Sequence, residues 1–109
     1  KQLTHDTQIV RAYETDPLVF GTVTPRWFQE LGIAQTSIRA SASSMQIPLR
    51  MMVSEGDQIC DPEYARHIAK NWGGPSDLVE YGDMYHELFN ETERDRVLSE
   101  LVEWLESLD

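Results

Sequence analysis

Residues 48–81 read PLRMMVSEGDQICDPEYARHIAKNWGGPSDLVEY. Leu49 to Val53 is a largely apolar run, too short for a helix and stopped by Ser54-Glu55-Gly56, and it predicts a strand. Asp61 followed by Pro62 is a helix start: a capping side chain, then a residue whose missing N–H costs nothing at the first position. Ala65, Ile68, Ala69 and Trp72 recur at helical spacing and give that helix one apolar face. Gly73-Gly74-Pro75 stops it, and Asp77 to Tyr81 predicts a second strand. Two strands joined through a helix are parallel and neighbouring, with a right-handed crossover. Parallel sheets need helices on both faces and usually more than two strands. The stretch therefore predicts an α/β chain that completes a larger sheet.

The flanks carry helices. Asp6 caps a predicted helix from Thr7 to Glu14, and Asp16-Pro17 breaks it. Leu18, Val19 and Phe20 form an apolar cluster in a loop closed by Gly21. Thr24 and Pro25 open a second helix, whose Trp27, Leu31, Ala34 and Ile38 mark a buried face. It ends in the serine-rich run Ser41 to Ser44. Beyond the second strand, Gly82 to Asn90 reads as a loop. Asn90 with Glu93 resembles a capping box. Val97, Leu98, Leu101, Val102, Trp104, Leu105 and Leu108 make a wide apolar stripe on a last helix. No repeat or low-complexity stretch interrupts this pattern.

The chain has 109 residues, enough on size alone for one small domain, and a formal net charge of -10. Such acidity argues against a nucleic-acid phosphate partner and against adsorption to anionic lipid. No apolar run approaches the roughly 20 residues of a membrane span, so stable membrane insertion is not expected. The single cysteine, Cys60, excludes a disulfide within the chain. No zinc-ligand spacing exists. These features fit a cytoplasmic compartment.

In an open α/β sheet, ligands bind beyond the carboxyl ends of the strands. Two loops leave such ends, one carrying Ser54-Glu55-Gly56-Asp57-Gln58 and the other Gly82-Asp83-Met84-Tyr85-His86-Glu87. Neighbouring strands lie about 4.8 Å apart, so a carboxylate on the first loop reaches an imidazole on the second. Asp57 and His86 are the candidate pair. A histidine base needs one ring nitrogen toward a nucleophile and the other donating to a carboxylate, which fixes the tautomer. Taken singly, Asp57 reads as a turn former and His86 as a surface or structural residue, and placement alone leaves those readings open. Glu63 and His67 sit four apart on a helix, but without a third ligand they read as a solvated face. Cys60, on the acid loop, would compete with the acid rather than serve as a nucleophile. Ser41, Ser43 and Ser44 lack a Gly-x-Ser-x-Gly setting and a preceding strand. His5 reads as a local contact beside Asp6. Trp27 and Phe28 read as core, and Leu88 and Phe89 as packing that seats the histidine loop.

Three sets of residues together resemble one family. Leu3-Thr4-His5-Asp6, Tyr13, Asp16-Pro17-Leu18-Val19 and Trp27-Phe28 are similar to the stretch after the lid in monoacylglycerol lipase and lysophospholipase-like α/β-hydrolases. Ile47-Pro48-Leu49, Gly56-Asp57 and Asp61-Pro62 resemble that family's penultimate strand and acid loop. Tyr85-His86-Glu87-Leu88-Phe89-Asn90-Glu91 resembles its histidine loop. The resemblance implies the C-terminal portion of an α/β-hydrolase fold: the last two parallel strands with flanking helices, plus the trailing part of the lid. Residues 1–23 would be the end of the lid and its connection, and residues 24–109 the C-terminal part of an incomplete core domain. It implies Asp57 as triad acid and His86 as base, with the serine and the oxyanion-hole donors upstream, because the family's order is Ser, Asp, His. No nucleophile lies in this chain, and the isolated chain is expected to be inactive. Leu18, Val19 and Phe20 would line an acyl channel or pack under a loop. The implied substrate is a small lipid-like ester, the implied partner is the upstream part of the same protein, and no metal or organic cofactor is implied. Two positions depart from the family: Ser54-Glu55-Gly56 stands where His-Gly is frequent, and Cys60 where a small aliphatic residue is common.

The fold hosts several chemistries. Serine ester hydrolysis is therefore carried beside two alternatives. One is a different reaction on the same fold (peptidase, thioesterase or haloperoxidase-like), and the other is a non-catalytic interaction fragment.

Overall fold

The computed structural model describes residues 2–108; Lys1 and Asp109, the outer ends of the two expected divisions, lie outside the described residues. The order of elements is α1 (Thr7–Thr15), α2 (Pro25–Ser41), a 3-10 turn (Ala42–Ser44), β1 (Leu49–Ser54), α3 (Pro62–Lys70), β2 (Ser76–Tyr81), a second 3-10 turn (Leu88–Asn90) and α4 (Arg94–Glu106). The strand–helix–strand unit predicted over residues 48–81 is present, and its strands are parallel neighbours.

Local chemistry sets the helix starts. The Asp6 carboxylate accepts from the N–H groups of Gln8 and Ile9, the Thr24 hydroxyl from that of Trp27, and the Asp61 carboxylate from that of Glu63. Each side chain satisfies a donor that the first helical turn leaves without a partner. After α3 the chain must pass close to the end of α2, and Gly73 permits it. A Cβ there would lie 2.2 Å from the Ser43 carbonyl oxygen.

The register places Leu49 opposite Ser76 and Ser54 opposite Tyr81. Both strands thus finish at the same level, and their outgoing loops begin side by side. The Glu55 N–H, the first beyond β1, donates to the Tyr81 carbonyl at 3.0 Å. α3 packs against both strands. The buried apolar cluster is Tyr81, Met84, Leu88 and Val97, with Met52 and Val79 against it. It sits where β2 ends and beneath the loop that carries His86. The Tyr81 hydroxyl reaches across to the Glu100 carboxylate of α4 at 2.5 Å.

Three expectations from the sequence are corrected. The predicted inner face of α2 is open: Trp27, Leu31 and Ile38 are exposed, as is Phe28, and no residue of α2 is buried. Among the described residues nothing covers that face; its links to α3 are polar, from the Tyr64 hydroxyl to the Gln35 carbonyl and from Arg39 Nε to His67 Nε2 at 3.2 Å. The stripe on α4 is covered only in part. Val97 is buried and Leu101 and Trp104 are half-buried, while Leu98, Val102, Leu105 and Leu108 are exposed. The Asn90–Glu93 capping box does not form. α4 begins at Arg94 without a side-chain cap, and the Asn90 amide donates to Glu87 at 2.8 Å instead. Asn90 belongs to the 3-10 turn before the helix, which takes it out of the capping position.

Candidate active site

Two loops at the carboxyl edge of the sheet build the site. The acid loop leaves β1 at Ser54, whose buried hydroxyl donates to the Met84 carbonyl and accepts from the Gly56 N–H at 3.1 Å. Gly56 is the point of closest approach. A Cβ there would lie 2.6 Å from the Met84 carbonyl oxygen, so only glycine lets the two loops lie this close. The next residue is Asp57.

The Asp57 carboxylate divides its two oxygens. Oδ1 accepts from the N–H groups of Ile59 at 2.7 Å and Cys60 at 3.0 Å. Oδ2 lies 2.8 Å from Nδ1 of His86. The side chain of Asp57 is 11% exposed and that of His86 31%, so the acid is sheltered and the imidazole keeps a path to solvent. Burial opposes the charge on Asp57, but the hydrogen bond from His86 and those from the Cys60 and Ile59 backbone outweigh it. The carboxyl is held below its usual value. An ionised Asp57 accepts, so Nδ1 is the protonated ring nitrogen of neutral His86 and Nε2 carries the free lone pair. Among the described residues nothing hydrogen-bonds to Nε2.

His86 lies on an irregular segment that runs from Gly82 to Glu87 between β2 and the second 3-10 turn. Contacts from the start of the chain fix it. The Glu87 N–H donates to the Leu3 carbonyl at 2.8 Å, and the Thr4 hydroxyl donates to the Asn90 carbonyl at 2.7 Å. Leu88 is buried beneath the loop, whereas Phe89 is exposed, so only the first of the two packs as expected. His5, expected to make a local contact, instead spans the chain. Its ring stacks on Tyr85 at 3.8 Å, and its Nδ1 lies 3.1 Å from the Glu91 carboxylate. Glu91 was missed in the sequence. In the sequence it is only the last residue of the stretch that resembles the histidine loop; its burial is what distinguishes it.

A cleft of about 210 Å³ lies beside the pair, between Val53, Asp57, Cys60, Pro62, His86 and Leu88. Leu18, Val19 and Phe20 do not line it; Leu18 and Phe20 project into solvent. Asp57, Cys60 and His86 each bring one ligand-type atom within 4.8 Å of the others. Burial and then the adjacent Asp57 charge push the Cys60 thiol up, which keeps it protonated. The 2.8 Å contact joins His86 Nδ1 to Asp57 Oδ2. The arrangement is a hydrogen-bonded carboxylate–imidazole pair with a thiol beside it. Of the helical pair Glu63 and His67, Glu63 is engaged by Arg66, and His67 Nε2 accepts from Arg39.

The chain as a whole is similar to known proteins. Over 108 residues the chain is 27% identical to the monoacylglycerol lipase of Mycolicibacterium smegmatis, covering 96% of this chain and 38% of that protein. The crystal structure of Paleococcus ferrophilus monoacylglycerol lipase superposes with a TM-score of 0.84 at 25% identity, covering all of this chain and 43% of that one. The chain thus spans about two fifths of the length of these relatives. It is a partial α/β-hydrolase, with two parallel strands and their flanking helices in place. Residues 1–93, most of its length, match the family described as serine aminopeptidase, S33, and to that family the chain belongs.

Proposed function

We propose that this chain supplies the acid Asp57 and the base His86 of a serine-dependent ester hydrolase of the monoacylglycerol lipase or lysophospholipase kind. The observation that carries the reading is the 2.8 Å contact between His86 Nδ1 and Asp57 Oδ2 across two loops at the strand ends. The serine and the oxyanion-hole donors come from the remainder of the protein. His86 Nε2 takes the serine proton as the hydroxyl attacks the ester carbonyl. It returns that proton to the leaving alcohol, and a water then releases the acyl group with the same base. Asp57 holds the Nδ1–H tautomer and offsets the imidazolium charge as it forms. Residues 1–23 serve as the trailing edge of a lid. Leu18, Val19 and Phe20 meet the acyl chain once the rest of the lid is present. The exposure of Leu18 and Phe20 suits a surface that awaits either a ligand or the covering polypeptide.

The test is a fluorophosphonate probe applied to the full-length protein, with the labelled peptide identified by mass spectrometry. A label on a serine in a Gly-x-Ser-x-Gly peptide, lost in His86→Ala, supports the reading. A folded protein that takes no label overturns it. The family's description favours one second reading, an aminopeptidase on the same machinery. Faster turnover of an aminoacyl anilide than of a monoacylglycerol would select it.

A further inference from the structure

Glu91 is the one charged side chain buried among the described residues, at 1% exposure. An enclosed carboxylate persists only where donors replace its lost water. Its Oε1 accepts from the Tyr85 N–H at 2.8 Å and lies 3.1 Å from His5 Nδ1. Its Oε2 accepts from the N–H groups of His5 at 3.1 Å and Thr92 at 3.2 Å. These donors come from both ends of the chain. Tyr85 immediately precedes His86, and its ring carries the His5 ring stacked 18° from parallel. On the other side of His86, the Glu87 N–H donates to the Leu3 carbonyl at 2.8 Å. Tyr85 to Glu87 belong to no helix or strand, so no regular ladder sets their course.

We propose that Glu91, acting with the strap Leu3–Thr4–His5, is the positioning element of His86: it holds the peptide neighbours of the histidine so that Nδ1 stays on Asp57 while Nε2 faces the nucleophile. The inference rests on the reading of His86 as the base. Burial disfavours the Glu91 charge, yet the N–H donors of Tyr85 and His5, the His5 ring and Thr92 outweigh it and keep the carboxyl below its usual value. The strap therefore docks onto a charged acceptor rather than a neutral one. The N-terminal segment does more than lead into the fold: it closes the histidine loop from outside. A base must be held to well under an ångström, since a displacement of about 1 Å can cost about a hundredfold in rate.

Two variants of the full-length protein test this. Glu91→Gln keeps the volume but turns one acceptor oxygen into an NH2 group facing N–H donors. His5→Phe keeps a ring to stack on Tyr85 but removes the Nδ1 contact. Two readouts are taken on protein shown to be folded by circular dichroism. One is the rate of fluorophosphonate labelling together with kcat and KM on a monoacylglycerol. The other is the low-field proton resonance of His86 Nδ1–H on Asp57. Glu91→Gln is expected to slow labelling and lower kcat by about tenfold with KM little changed, and to shift or broaden the resonance. His5→Phe moves both in the same direction by less. A folded Glu91→Gln with rate and resonance unchanged overturns the proposal. Should Glu91→Gln fail to fold, His5→Phe with both readouts at the wild-type level overturns it equally. If the wild-type protein takes no label, the ester-hydrolase reading falls, while the resonance still decides whether Glu91 positions His86.

Discussion

Asp57 offers its two oxygens to different partners, and that division sets what a substitution does. Oδ1 faces the backbone N–H groups of Ile59 and Cys60, and Oδ2 faces His86. In Asp57→Asn the carbonyl oxygen stays on the two backbone donors, which an NH2 group cannot satisfy. The NH2 group then points at Nδ1 and forces the ring into the tautomer with its proton on Nε2, where a base is useless. In the full-length protein, kcat on an ester is expected to fall about ten-thousandfold with KM little affected. Steady-state kinetics on the purified variant check it; wild-type turnover would remove Asp57 from the reaction. The carboxyls of half-buried Asp57 and buried Glu91 both titrate below their ordinary values, 3.8 for an aspartate and 4.5 for a glutamate. A depressed folded-state pKa means that the unfolded chain binds protons first as pH falls. The stabilisation from Asp57 and Glu91 is therefore fully present above their ordinary values and is lost as pH drops through the lower folded ones. The melting temperature of the full-length protein, followed from about pH 7 to about pH 3, is expected to fall steeply at the acid end. Glu91→Gln should flatten that fall, and an unchanged acid limb in the variant would assign the loss to other groups.

The two loops can work together because the elements beneath them end level and touch. Ser54 and Tyr81 close the register, the Ser54 hydroxyl bonds to the Met84 carbonyl, and Gly56 passes within contact of that same carbonyl. Gly56→Ala puts a methyl group 2.6 Å from a backbone oxygen that cannot swing away. The loops must part, at a cost of about 1–3 kcal/mol and with loss of the contact between Asp57 and His86. Chemical denaturation should register the destabilisation and fluorophosphonate labelling the lost reactivity. Full stability in the variant would mean that the loops tolerate separation. Much of this element-level arrangement was legible in the sequence. The capping residues Asp6, Thr24 and Asp61 act through their immediate neighbours, and their helices start where expected. The strands followed from period and punctuation, and the parallel crossover put Asp57 within reach of His86; the family resemblance added the weight that position alone did not. What escaped was long-range polar satisfaction. The roles of His5 and Glu91 depend on residues more than eighty positions apart meeting in space, and no local pattern encodes that. The failed Asn90–Glu93 capping box has the same root. The signal was locally valid, but the turn that contains Asn90 is held by Thr4 from the far end of the chain.

At the scale of the whole molecule, the arrangement leaves apolar surface uncovered. Leu18 is 80% exposed, Phe20 82% and Phe28 70%, and one face of α2 and part of the α4 stripe lie open. The sheet has two strands, so each presents an unpaired edge among the described residues. Water meets apolar groups that a sequence pattern marks as interior, and the buried cluster is confined to the region under the histidine loop. A two-stranded parallel sheet with one small cluster gives little burial to offset the conformational entropy of ordering the chain. Open edges and apolar faces also favour self-association over solvation. The 109 residues expressed by themselves are therefore expected to aggregate or to remain loosely ordered, with strong binding of an apolar dye and weak protection from hydrogen exchange. The same residues within the longer protein should show protected amides in β1 and β2 and an apolar α2 face inaccessible to the dye. Size-exclusion chromatography with light scattering, followed by exchange measured by mass spectrometry, separates the two cases. A monomer that unfolds cooperatively from the 109 residues alone would show that the small cluster and the polar clamp of Leu3 to His5 on the histidine loop suffice to hold the fold. The open faces would then be surfaces the protein tolerates rather than surfaces awaiting the rest of its core.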